Sequence, residues 1–128
     1  MTKNILFADN LTGTEYEREQ LSQKFICGVY GAGSVPSLMD MLTQRNYAVA
    51  VVDPLRLTIG AYMEMLSVPE RVRDVVRRIR AKEIPVIFAE SDLKPETFEL
   101  EHIKDYQAVH RKPYNVEQLI RQIEEITR

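Results

Sequence analysis

The side chains of this chain that could do chemistry stand at the ends of apolar runs. Asn4-Ile-Leu-Phe-Ala-Asp9 closes on a carboxylate followed by Asn10, and Tyr47-Ala-Val-Ala-Val-Val-Asp53 closes on another. Ile84-Pro-Val-Ile-Phe-Ala89 hands over to Glu90 and Ser91, while Tyr106-Gln-Ala-Val-His-Arg111 runs into Lys112-Pro113. Carboxylates gathered in one place repel each other unless a metal ion or an ammonium group lies among them. An all-oxygen donor set suits Mg²⁺, which takes one or two carboxylates, keeps several waters and binds phosphate oxygens. Lys112 adds a point charge able to hold a phosphoryl oxygen. An Asp carboxylate can itself attack phosphorus and form an acyl phosphate. These residue types therefore point to phosphoryl transfer onto Asp53, with the metal and Lys112 neutralising the charge that accumulates. Taken alone, Asp53 has a plainer use as a turn opener or helix cap.

The polar ends meet only if the runs are parallel strands of one sheet. A continuous apolar run ending abruptly in Asp reads as a central strand covered on both faces by helices. Ligands of open α/β sheets sit beyond the carboxyl ends of such strands. Helices are expected between the runs. Thr14-Glu-Tyr-Glu17 has the form of a capping box opening a helix through about Lys24. Phe25 to Tyr30 reads as the second strand, broken by Gly31-Ala-Gly33, and Ser34 caps a helix with Pro36 in its first turn. Leu38, Met39, Met41 and Leu42 give that helix its apolar face. Pro54 to Gly60 is loop-like, and Ala61 to Leu66 has the makings of a short helix. Pro69 suits the first turn of a longer helix with Val68, Val72, Val75, Val76 and Ile79 on its core face. Leu93 to Ile103 reads as a polar helix entered at Pro95, and Val116, Leu119, Ile120, Ile123 and Ile126 mark the last helix. Strands alternating with helices imply an α/β, doubly wound parallel sheet in a single domain spanning residues 1–128.

Composition bounds the reading. The chain has 128 residues, 45% hydrophobic and 28% charged, enough for one core. Its formal net charge of −2 provides no field that would draw the molecule to nucleic acid. Arg71, Arg73, Arg77, Arg78, Arg80 and Lys82 read as the solvated face of a sheet-covering helix, so no direct nucleic-acid binding is expected. One cysteine, Cys27, fits a reducing compartment and packs as a small hydrophobe in the second strand. No run is long enough to span a bilayer and the N-terminus has no signal-peptide profile, so a cytoplasmic location without membrane contact is expected. His102 and His110 lack partners at metal-ligand spacing, which argues against zinc. Met39, Met41, Met63 and Met65 suit the core or a partner surface. A nucleotide-binding enzyme would need a phosphate loop, and Asp9-Asn-Leu-Thr-Gly-Thr14 has one Gly and no Lys.

In their order, these motifs resemble the receiver domain of bacterial two-component response regulators, a flavodoxin-like (βα)5 fold with strand order 2-1-3-4-5. The resemblance covers nearly the whole chain. Ile5-Leu-Phe-Ala-Asp9-Asn10 resembles the first strand with its acidic pair, and Ala32-Gly-Ser34 with the following helix leads without a gap to Asp53, at the phosphoacceptor position. Ile84-Pro-Val-Ile resembles the fourth strand, and Lys112-Pro113-Tyr114 the Lys-Pro-aromatic motif. The resemblance implies a signalling domain rather than an enzyme, capable at most of catalysing its own phosphorylation and dephosphorylation. It would receive the phosphoryl group from a histidine kinase or phosphotransfer protein and present a changed surface to a downstream protein, a homodimer being one allowed arrangement. Mg²⁺ would be held by Asp9, Asn10, Asp53 and the backbone carbonyl of Leu55, and Lys112 would contact the phosphoryl group.

The departures are specific. Asn10 stands where the family has a second acidic metal ligand, so the ion is expected to bind weakly. Glu90 falls at the hydroxyl position of strand four, where it would repel a phosphoryl group, bind Lys112 or restore the charge lost at Asn10; Ser91, one residue on, is the alternative hydroxyl. Val109 falls at the aromatic switch position. The segment of about 54–68 is longer and more irregular than the family norm, and Pro54 removes a backbone N–H beside the site while leaving that of Leu55. These departures also fit a receiver-like interaction module that is not phosphorylated, in which Asp53, Lys112 and Glu90 form a static polar cluster.

Overall fold

The computed structural model describes residues 4–91 and 106–128. Its five strands are all parallel and lie in the order β2-β1-β3-β4-β5. They are β1 (Ile5–Ala8), β2 (Val29–Ala32), β3 (Val49–Val52), β4 (Val86–Ser91) and β5 (Ala108–Lys112). The four helices are α1 (Glu15–Phe25), α2 (Val35–Gln44), α3 (Val68–Arg80) and α4 (Val116–Thr127) among the described residues. The expected helix over Leu93 to Ile103, His102 with it, lies outside them.

The sheet is doubly wound because its side chains alternate between two apolar layers. Leu6, Ala8, Ala50, Val52 and Val86 share one cluster with Leu38 and Leu42 of α2 and Val75 and Ile79 of α3. Ile5, Phe7, Val49, Val51, Ile87 and Ala89 share the other with Leu21 of α1 and Leu119 and Ile123 of α4. The central strands β1 and β3 are buried throughout, which explains their uninterrupted apolar runs. The register Ala8↔Val52 and Val52↔Phe88 brings the strand ends that carry Asp9 and Asp53 level with each other.

Several local expectations need correction. Thr14 begins α1 without the capping bond; its hydroxyl donates instead to the carbonyl of Asn10, 2.8 Å away. The capping box occurs at α3, where Ser67 Oγ accepts from the Glu70 N–H and Glu70 Oε1 from the Ser67 N–H. Helix α1 runs through Phe25 and closes on Ile26, held at φ 47°, so the second strand starts at Val29 and contains Gly31. A Cβ at Gly31 would lie 2.6 Å from Leu11 Cδ2; the glycine marks close approach rather than a break. Cys27 therefore sits in the turn before β2, partly buried against the α1/α4 cluster. The fifth strand begins at Ala108, two residues later than the apolar run suggests.

The irregular segment after Asp53 docks on the domain. Pro54–Arg56 and Ala61–Met63 are single 3₁₀ turns, so the helix expected from Ala61 to Leu66 is shorter than its pattern. Between the turns, the Thr58 N–H donates to the Gly33 carbonyl and the Thr58 carbonyl accepts from the Val35 N–H, forming a parallel bridge at Ser34. Leu57 and Met63 are buried in the α2/α3 layer, Met39 and Met41 pack at its edge, and Met65 is 92% exposed. The α3 cations are partly structural: Arg71 donates to the carbonyls of Met63 and Glu64, Arg80 to that of Ile84, and Arg78 pairs with Asp74. No helix among the described residues is long and apolar enough to cross a membrane.

Candidate functional site

The carboxyl ends of β1, β3 and β5 deliver Asp9, Asp53 and Lys112 to one point. Lys112 Nζ lies 2.8 Å from Asp9 Oδ2 and 2.8 Å from Asp53 Oδ2. Both carboxylates are 1% exposed. Asp53 also caps the 3₁₀ turn that follows it, its Oδ1 accepting from the Leu55 N–H at 3.2 Å. The amide left available after Pro54 is thus used on the Asp53 side chain itself. The turn-capping use of Asp53 and its place in a charged cluster are both realised.

Asp9 is bonded on both oxygens. Its Oδ1 accepts from the Asn10 N–H, and its Oδ2 accepts from the Tyr114 hydroxyl at 2.7 Å as well as from Lys112. Burial, and then the charge of Asp9, push the Tyr114 phenol well above its ordinary pKa, so it remains a donor. Burial likewise raises the Asp53 carboxyl, and the Asp9 charge adds to this; the hydrogen bond and charge of Lys112 and the Leu55 N–H oppose it. Two carboxylates around one ammonium leave a negative charge over.

Tyr114 is positioned by the turn after β5. It stacks on His110 with ring centroids 5.4 Å apart and tilts against Phe7 at 5.3 Å. His110 is fully buried, and its Nε2 accepts from the Asn115 N–H at 3.1 Å. Its proton therefore sits on Nδ1 and is donated to Gln122 Oε1, 2.8 Å away. Gln122 Nε2 in turn donates to the Val109 carbonyl. Burial holds His110 below its ordinary pKa, which keeps the imidazole neutral. This histidine ties β5 to α4, with both ring nitrogens engaged in hydrogen bonds.

The other expected site residues are placed less directly. Asn10 is exposed, and its Oδ1 accepts from both the N–H and the hydroxyl of Thr12. Glu90 and Ser91 lie within β4, in register with Arg111 and Lys112. Glu90 follows the parity of Val86 and Phe88, toward the α3 side of the sheet. The carboxylates that Lys112 holds are Asp9 and Asp53, not Glu90. Val109 is partly buried.

A pocket of about 360 Å³ opens beside Lys112 and is lined by Asp9, Asn10, Thr14, Glu17, Arg56 and Tyr114 among others. Sequence reasoning missed Arg56 and gave Tyr114 no role. The signal for Arg56 was its place three residues after Asp53; for Tyr114 it was the hydroxyl on the aromatic of the Lys-Pro-aromatic motif. Asp9, which lines the pocket, and Asp53, which meets it only through Lys112, keep unused lone pairs suited to a hard cation, one on Asp9 Oδ1 and others on Asp53. Among the described residues no third Asp, Glu, His or Cys joins them.

No protein-family model matches the chain, and no curated protein does. Solved structures do. The receiver domain of the Francisella response regulator 1452 is 18% identical, with a TM-score of 0.69 over 98% of this chain and 97% of that one. A response regulator from Thermotoga maritima is 15% identical, with a TM-score of 0.72 over 99% and 98%. NtrX from Brucella abortus is 16% identical, with a TM-score of 0.75 over 99% of this chain but only 27% of its own length. The chain thus has the flavodoxin-like fold of response-regulator receiver domains, with strand order 2-1-3-4-5.

Proposed function

We propose that this domain is a two-component signalling receiver that accepts a phosphoryl group on Asp53. The observation that carries the reading is the Asp9–Lys112–Asp53 cluster at the carboxyl ends of three parallel strands, with both distances at 2.8 Å. A histidine kinase or phosphotransfer protein would supply the phosphoryl group, and a downstream protein would read the change. Asp53 provides the nucleophilic carboxylate oxygen, which its bond to Leu55 N–H orients. Lys112 changes partner as the charge grows, moving from two carboxylates to the phosphoryl oxygens, and the excess negative charge of the cluster favours a divalent cation. Asp9 and Asp53, with the Leu55 carbonyl and with the Asn10 amide oxygen once it gives up its bonds to Thr12, would hold Mg²⁺ weakly; when bound, the ion would neutralise phosphoryl charge.

Intact-mass spectrometry after incubation with Mg²⁺ and acetyl phosphate tests this. A single phosphoryl adduct is expected on the wild-type chain and none on Asp53→Asn or in a metal-free control. The second reading, an unphosphorylated interaction module, draws on the near-complete burial of Asp53 and on the bonds that occupy Asp9. It predicts no adduct under any of these conditions.

A further inference from the structure

We infer that Arg56 is a phosphoryl-binding residue of this site, supplying the contact that Glu90 cannot; the inference rests on Asp53 being the acceptor. Arg56 belongs to the 3₁₀ turn that Asp53 caps, and its N–H donates to the Asp53 carbonyl at 3.1 Å. Arg56 and Lys112 together line the pocket beside the cluster. Arg56 is exposed, whereas other arginines are tied down: Arg71 and Arg80 to backbone carbonyls and Arg18 to the Leu11 carbonyl.

The charge balance shows why a second cation is needed. In the transfer, an Asp53 carboxylate oxygen forms the new P–O bond while the P–O bond to the donor's acetate breaks, acetate leaving with the electron pair. No proton moves. Asp53 changes from a singly charged carboxylate to an acyl phosphate of about two negative charges. Lys112 is already divided between Asp9 and Asp53, and Glu17 brings a further carboxylate to the pocket lining. A planar guanidinium with five donors is suited to the equatorial phosphoryl oxygens.

The test is the rate of adduct formation from acetyl phosphate and Mg²⁺, followed by intact mass, for wild type, Arg56→Ala, Arg56→Lys and Arg73→Ala, with urea unfolding of each. Arg56→Ala should react about tenfold more slowly or worse, Arg56→Lys should recover part of the rate, and Arg73→Ala, on α3 away from this pocket, should match wild type. Unfolding midpoints should be unchanged, which separates a phosphoryl contact from a structural role. Adduct formation by Arg56→Ala within about twofold of wild type would overturn the inference and leave the acceptor reading standing. No adduct on the wild-type chain would overturn both.

Discussion

Lys112 holds together two buried carboxylates that could not otherwise remain charged side by side. The consequence is a defined dependence on pH. Because burial raises the pKa of Asp53, the folded chain holds this proton more tightly than the unfolded chain does. The contribution to stability is therefore fullest below the unfolded value of about 3.9 and is lost as pH rises through the higher folded value. Lys112 works against that loss. Lys112→Met leaves the pair without a counter-charge and should cost about 3 kcal/mol at pH 7. Most of the deficit should disappear near pH 4, where protonating Asp53 removes the repulsion. Urea unfolding at the two pH values measures this, and an equal deficit at both would contradict it. Asp9, Asp53 and Lys112 were legible in the sequence because each ends an apolar run that has to be a parallel strand. Tyr114 was not, since its bond to Asp9 depends on the path of the chain between β5 and α4. For Glu90 the sequence left three uses open, repelling a phosphoryl group, binding Lys112 or restoring the charge lost at Asn10; of these, the bond to Lys112 is not formed, and strand parity places the side chain toward the α3 side.

The element with most to explain is the segment between Asp53 and α3. Pro54, Gly60 and the lack of period between them read as a loop, and Ala61 to Leu66 as a short helix. Beyond the buried Pro54, the side chains of Leu57 and Met63 are too few to make a periodic signal, yet they join the α2/α3 layer. The backbone bridge at Ser34 and Thr58 then ties the segment after Asp53 to the β2–α2 connection. Met63→Ala should accordingly cost about 2–5 kcal/mol, the range for a buried methionine. A loss below about 0.5 kcal/mol, the range of surface substitutions, would show that the segment is not docked. Secondary structure failed elsewhere for similar reasons. Gly31 looked like a breaker, but it lets β2 pass close to Leu11, and α1 runs one residue further than its last cation suggested.

At the scale of the whole molecule, the alternation of strands and helices was enough to specify a parallel sheet, and the buried runs of β1 and β3 identified its centre. The strand order entered through the resemblance to receiver domains, and the sheet has that order. With β1, β3 and β5 placed, the ends of the strands converge whatever the loops do. This is why the cluster of three charged residues could be foreseen and the lining of its pocket could not. The central claim, that this convergence makes Asp53 a phosphoryl acceptor, is tested most directly by reductive trapping. The chain is treated with Mg²⁺ and acetyl phosphate and then with borohydride, which reduces an acyl phosphate to an alcohol, and the product is sequenced by peptide mass spectrometry. Homoserine at position 53, and nowhere else, is the predicted result. Homoserine at position 9, the corresponding reduced side chain at Glu90, or no reduced residue at all would contradict the account.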